Sequence, residues 1–305
     1  MKRLRKLQRV VTITLCGLAI VPTLAARTCG GVGDVVGSFG WLATRSSNFV
    51  PSATTPPGTT TGTTMTGSAT PIGALVADAV NTAAFTSVGR IYLDGNGGVF
   101  STSTPGGLQT PAGTYTVNSD CTVSVTLMDA FAAPGFPGLS TQPSATFEGV
   151  AVAGGNEIDL TQTGSTAGTT ISLKKTGQSC TIDGLSSSFG ISATGLTTAP
   201  NATIGSMPTT TAFGILGRFV ADGAGNLVED AMAQASPLTN RQVTGTYTVN
   251  VDCTGTATLA TADGKKRGAN FVIVTQGSDL TNGPQTLEFA FTDAGVVGSG
   301  LAQQQ

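Results

Sequence analysis

There is no histidine anywhere in these 305 residues. That absence removes the Ser-His-Asp and Cys-His arrangements that activate a nucleophile. There is no C-x-x-C pair either, so the usual zinc frameworks are missing as well. No G-x-S-x-G elbow appears. Charge is scarce: Asp, Glu, Lys and Arg make up 10% of the chain, against about a quarter in ordinary soluble domains. Thr, Ser and Gly take the surface positions instead, a composition of exported β proteins more than of cytosolic enzymes. Helical periodicity is lacking too. No stretch longer than about ten residues carries the 3.6-residue repeat, and Ala74–Ala84 is the one candidate for a short helix.

What is present begins with a leader. MKRLRKLQR holds five basic residues and no acid, and the apolar run 10–24 and the small-residue stretch TLAAR follow. This is the layout of a secretory signal peptide spanning 1–26, cleaved after Ala25 or Ala26. The apolar run falls short of the ~20 residues that span a bilayer. The mature chain is therefore expected outside the cytoplasm, secreted or periplasmic, with no membrane attachment after cleavage. Without the leader, ten basic residues face 17 acidic ones, a net charge near −7. No basic patch is left to neutralise a phosphate backbone, which argues against nucleic acid as a partner.

The ten-mer GTYTVNSDCT at 113–122 returns as GTYTVNVDCT at 245–254, with nine of ten letters kept. The match extends upstream. FTSVGRIYLDGNG (85–97) aligns with FGILGRFVADGAG (213–225), and Ser-Phe-Gly recurs at 38–40 and 188–190, each after a cysteine and before Ala-Thr. Downstream, FEGVAVAGGNEIDLTQTG (147–164) corresponds loosely to FVIVTQGSDLTNGPQTLEFAFTDAG (271–295), which sets Phe147 against Phe271. The chain is a duplication, with units 29–178 and 180–305, each large enough for its own core.

Alternation through Tyr115, Val117, Ser119, Cys121, Val123, Val125 and Leu127 marks half-buried strand. Asn118-Ser119-Asp120 in its middle is turn chemistry. A hairpin with the three-residue loop Ser119-Asp120-Cys121 keeps the apolar set on one face. It pairs Val117 with Val123, Tyr115 with Val125 and Thr116 with Ser124. In the second copy Val249 meets Gly255, Tyr247 meets Ala257 and Thr248 meets Thr256. Asp94–Gly97 and Asp222–Gly225 read as tight turns of an up-and-down meander. Further strands are expected at Ser38–Thr44, Phe147–Val152, Glu157–Thr163 and Thr169–Lys174. The fold class is all-β: two tandem antiparallel up-and-down barrels, or failing that sandwiches, of six to eight strands each. The Thr/Pro/Gly-rich 50–71 is expected as a long loop, with 196–212 at the matching place in the second unit.

The combined pattern of Cys, S-F-G, D-G-x-G, G-T-Y-T-V-N-x-D-C-T and a closing F-x-x-V strand resembles a group of exported bacterial proteins that carry this β unit once or twice. The resemblance implies a barrel repeat and no activity. The meander is also similar to lipocalin-like and avidin-like barrels, with SFGW and SFGI in place of their tryptophan-bearing opening motif.

Candidate functional residues are few. After cleavage four cysteines remain, Cys29, Cys121, Cys180 and Cys253, enough for two disulfides in an oxidising compartment. Cys29–Cys180 with Cys121–Cys253 would respect the repeat symmetry, as would a swapped arrangement. Independent domains favour Cys29–Cys121 and Cys180–Cys253. A hollow barrel would be lined by Tyr115, Val117 and Phe147, with Tyr247, Val249 and Phe271 in the second copy. Asp94 and Asn96 offer two oxygens to a cation, but calcium needs six to eight and GGVFSTST supplies no acid, so Asp94, Asp120, Asp222 and Asp252 read as turn-formers. Arg90 and Arg218 read as outer-face or end-closing residues. No catalytic residue, metal or cofactor is expected. The leading expectation is a non-enzymatic barrel that binds a small apolar ligand. A structural or adhesive surface protein with solid barrels, recognising a cell-surface component, is the alternative. A barrel-housed cyclase or isomerase comes third, and it would need a charged side chain facing a cavity.

Overall fold

The computed structural model describes residues 29–45, 85–102, 109–128, 145–163, 169–198, 210–228, 232–235, 239–241, 243–261, 266–275 and 285–305. The leader with its cleavage site, the 50–71 loop, the Ala74–Ala84 helix and positions 199–209 lie outside the described residues.

Eight strands form the first unit: β1 (Val36–Arg45), β2 (Phe85–Asp94), β3 (Gly98–Thr102), β4 (Gln109–Val117), β5 (Thr122–Leu127), β6 (Ala145–Val152), β7 (Glu157–Gln162) and β8 (Thr169–Lys175). Each pairs antiparallel with the next and β8 closes on β1, giving an up-and-down barrel. The second unit contains β9 (Ser186–Thr198), β10 (Thr210–Asp222), β11 (Asn226–Val228), β12 (Met232–Ala235), β13 (Thr239–Arg241), β14 (Val243–Val249), β15 (Thr254–Thr261), β16 (Lys266–Thr275), β17 (Gln285–Phe291) and β18 (Val296–Gln304). Here β10–β11–β14 and β18–β9 close an eight-stranded barrel, while the β12–β13 hairpin hangs from β10 as an extension of the sheet. Both units are therefore barrels and not sandwiches.

Period-two patterning dictates the interior. Along β1, Phe39, Trp41, Ala43 and Arg45 point inward, and along β5 Val123, Val125 and Leu127 do the same. The ten-mer forms the expected hairpin, with Val117 opposite Val123, Tyr115 opposite Val125 and Thr116 opposite Ser124, and its second copy pairs identically. The loop is closed by Cys121 N–H donating to Asn118 O at 2.9 Å, and Cys121 sits at φ 67°. That left-handed position suits glycine. Cysteine occupies it, and again at Cys253, because the tip is cross-linked to the entry of the unit.

The disulfides are Cys29–Cys121 and Cys180–Cys253. Backbone bonds run beside each of them: Cys29 N–H to Ser119 O at 3.1 Å, and Cys180 N–H to Val251 O at 3.0 Å. Sequence separations of 92 and 73 correspond to roughly 4–5 kcal/mol per bond in the chain-entropy account. Behind each entry a 3-10 turn, Val32–Asp34 or Ile182–Leu185, plugs one barrel end and buries Val35 or Leu185.

The two barrels pack on each other. Val272, Val274 and Ala290, on the outer face of β16 and β17, bury against Val88 and Leu42 on the outer face of β2 and β1. Gly40 makes this possible: a Cβ there would lie 2.7 Å from Val272 Cγ2 and 2.8 Å from Val274 Cγ1. Thr86 Oγ1 donates to Gly298 O at 3.0 Å and Thr275 Oγ1 to Lys175 O at 3.2 Å across the same junction.

Candidate functional site: barrel interiors and the cleft between them

Ladder registers allow the two interiors to be compared position by position. Tyr115 faces Val125, which faces Phe147; Tyr247 faces Ala257, which faces Ala269. Phe147 therefore corresponds to Ala269 and not to Phe271, whose own counterpart is Gly149. The sequence alignment of the two phenylalanines is off by two residues. By the same ladders Trp41 corresponds to Ile191, Leu173 to Ala302 and Leu93 to Ala221.

Among the described residues the interior of the first barrel is packed. Phe39 and Phe147 are fully buried, and Trp41 is buried over Gly89, where a Cβ would stand 2.7 Å from the indole. Of the expected lining residues, Tyr115, Val117 and Phe147 all belong to this packed core. Tyr115 is committed to the plug: its hydroxyl donates to Val35 O at 2.7 Å and accepts from Gly95 N–H at 3.0 Å. Burial raises its pKa. At the opposite end the inward layer turns polar, with Arg45, Ser87, Gln162 and Thr169 all buried and Arg45 Nε donating to Thr169 Oγ1 at 3.0 Å. The counterparts in the second barrel are Gly195, Ile215, Phe291 and Gly298.

The second barrel holds a wholly apolar cavity of ≈ 50 Å³, lined among others by Ile191, Ala257, Ala269 and Ala302. Tyr247 and Phe271 reach it; Val249 packs on the core outside its lining. Two rings that replace Leu160 and Gln162 of the first barrel make good part of the lost volume: Phe289 and Phe291 stand in edge contact at 5.6 Å, and Phe213, the counterpart of Phe85, packs against Phe291 at 5.7 Å. Tyr247 repeats the plug contact more loosely, accepting from Gly223 N–H at 3.0 Å and donating to Ile182 O at 3.4 Å.

The turn acids behave as turn-formers. Asp94 Oδ1 accepts from Asn96 N–H at 2.7 Å and Gly98 N–H at 2.8 Å, and Asp222 Oδ1 from Ala224 and Asn226 N–H. Asp120 and Asp252 each cap the following Thr. These bonds hold the carboxyls of Asp94, Asp120 and Asp222 below the usual range. Among the described residues no group of three Asp, Glu or Cys could hold a metal ion.

Sequence reasoning missed Glu288. It points outward from β17, is 1% exposed, and forms an ion pair with Lys174 of the other barrel at 3.0 Å. Its Oε2 has no partner among the described residues. Burial pushes its pKa up; Lys174 opposes this, and Glu157 and Asp159 reinforce it. Burial alone would lower Lys174, yet Glu288 and Glu157 hold it above its ordinary value. The pair borders an inter-barrel cleft of ≈ 530 Å³ with Leu42, Ser192, Leu216 and Leu301. Arg90 stands on the outer face near Asp252 and donates to Ser38 Oγ at 2.6 Å.

No family model, no curated protein and no solved structure matches this chain.

Proposed function

We propose that the chain is an exported, non-catalytic structural protein of the cell exterior, built from two disulfide-braced barrels that act as solid blocks. The observation that carries this reading is the filling of the interiors. The first is packed by Phe39, Trp41 and Phe147, and the second leaves ≈ 50 Å³. Ligand pockets run to about 300–1,000 Å³. Export is supported by the leader layout and by two disulfides, which persist in oxidising compartments. Among the described residues no helix is long and apolar enough to cross a membrane. Membership of the exported bacterial β-repeat group rests on the quoted motifs.

A second reading keeps the small apolar ligand but confines it to the second barrel. Its support is the run of truncations at Ile191, Ala257, Ala269 and Ala302 around an apolar void. Even a cavity of about 150 Å³ admits only benzene-sized guests. One titration separates the two. An environment-sensitive apolar dye, and separately benzene followed by NMR, are added to the purified protein. The structural reading expects no saturable shift at residues 191, 257, 269 and 302. Saturable binding there below about 100 µM would refute it in favour of the second.

A further inference from the structure

The internal interface is heterologous: two different faces meet, and duplication means that each barrel owns a version of both. The ridge on the second barrel consists of Val272, Val274, Glu288 and Ala290. Ladder registers give its counterpart on the first barrel as Val150, Val152, Asp159 and Thr161. The seat on the first barrel consists of Gly40, Leu42, Thr86 and Val88, and its counterpart on the second is Gly190, Ser192, Gly214 and Leu216. One ridge and one seat are consumed within the chain. The other ridge stays open, and so does the other seat apart from Gly190, which Gln305 covers, and the edge where Ser192, Gly214 and Leu216 border the inter-barrel cleft.

Exposure shows this directly. Val272 and Val274 are 0% exposed, while Val150 and Val152 are 44% and 39% exposed; Val88 is 3% exposed and Leu216 is 64%. These three residues are among the few large apolar side chains on the described surface. The open seat is also concave. A groove of ≈ 570 Å³ runs over Gly190, Ser192 and Leu216, flanked by Gln303 and Gln305. Glycine at 190 repeats Gly40, but its open side is taken by the side chain of Gln305, whose Nε2 would lie 2.9 Å from a Cβ there. Charge is compatible at the rim, where Arg218 repeats Arg90 and Asp120 repeats Asp252.

We propose that the open ridge of one molecule docks in the open seat of the next, so that the protein self-associates head to tail through a repeat of its own internal interface. A heterologous contact of this kind does not stop at a dimer; it propagates into filaments or closes into rings. The contact is weaker than the internal one. Glu288 and Lys174 are replaced by Asp159 and Gln303, so the ion pair is not repeated, and no peptide linkage raises the effective concentration. This extends the structural reading but stands on different residues.

Sedimentation velocity of the purified protein from about 1 to 500 µM, with electron microscopy at the top concentration, tests it. The expected result is a concentration-dependent series that passes beyond dimer. Leu216→Asp removes the seat and Val150→Asp the ridge. Both residues are exposed, so each variant should keep its fold, checked by circular dichroism and intact disulfides. Each variant alone should stay monomeric, with association weakened at least about tenfold. Mixed in equal amounts they should form a heterodimer and stop there, because each retains the face that the other needs. A wild-type protein monomeric throughout, unchanged association in either variant, or a mixture that stays monomeric would each overturn the proposal. Dye or benzene binding inside the second barrel would instead refute the solid-block reading and leave this one standing.

Discussion

Filling the void in the second barrel should stabilise the protein, and the sign of the change at one residue tests the whole comparison of interiors. Ala257 lines the ≈ 50 Å³ cavity and occupies the position held by Val125 in the first barrel. Ala257→Val adds two buried carbons, about 0.8 kcal/mol each. Cavity removal at about 24 cal/mol per Å³ adds up to ~1.2 kcal/mol. Part of this is lost because the valine only partly fills the space and its rotamer is fixed. The net expectation is a gain of about 1–2 kcal/mol. The mirror change Val125→Ala removes the same carbons from a packed site and should cost about 2–3 kcal/mol. Urea unfolding followed by circular dichroism reads both as shifts of midpoint at constant slope. The sole tryptophan, Trp41, reports the first barrel separately by fluorescence. A loss of more than about 1 kcal/mol for Ala257→Val would mean overpacking. The second barrel would then be as full as the first, and the alanine pair would not face a void.

Three other outcomes are expected. Non-reducing peptide mapping should join the peptides holding Cys29 and Cys121 and those holding Cys180 and Cys253, and Cys121→Ser or Cys253→Ser should lower stability by roughly 4 kcal/mol each in chemical denaturation. Tyr115→Phe should cost about 2 kcal/mol, because it strips partners from Val35 O and Gly95 N–H; Tyr247→Phe, with a longer bond to Ile182 O, should cost about half of that. The pH profile should carry two opposed contributions. Asp94, Asp120 and Asp222 have depressed folded pKa values, so their stabilisation is complete above the unfolded value near 3.8 and is lost as pH falls through the folded ones. Glu288 has a raised folded pKa, so the folded state holds its proton longer and stability falls as pH rises from the ordinary 4.5 through the folded value. Carboxyl-resolved NMR titration checks both, and Glu288→Gln should remove the second component alone.

How much of this was legible in the residues depends on which face of a strand carried the signal. Hairpin register was readable because parity constrains it: a three-residue loop keeps Tyr115, Val117, Val123 and Val125 on one side where a two- or four-residue loop would not, and the ladders follow. The cysteine pairing followed from the duplication and not from parity: independent units favour bonds within each unit, and Cys29–Cys121 and Cys180–Cys253 are the bonds formed. The equivalence of Phe147 and Phe271 failed because strands preserve parity and ladder position, not residue type. Between β5 and β6 the chain runs from Leu127 to Ala145, and between β15 and β16 only from Thr261 to Lys266, so counting along the sequence loses the register. Whether an interior is hollow depends on the summed volumes of residues from eight strands, which no single motif carries.

The open faces were partly written in the sequence, on the side of the strand that the barrel reading treated as solvent. In β6 the stretch GVAV turns only the small Gly149 and Ala151 inward, and its outward Val150 and Val152 are exposed. In β16 the matching FVIV is continuously apolar, the mark of a strand buried on both faces. Its outward Val272 and Val274 indeed lie beneath the first barrel. Likewise an acid between Leu287 and Phe289 in β17 reads as surface, yet Glu288 is buried against Lys174 because that outer face is an interface. The difference between GVAV and FVIV is thus the difference between a ridge with no partner inside the chain and a ridge already seated. If Val150 and Val152 were merely solvent-facing, nothing would oppose polar residues at both positions. The weaker ridge still carries two exposed valines, and the matching seat an exposed Leu216, which is the pattern that a second use of the same interface would leave on a single chain.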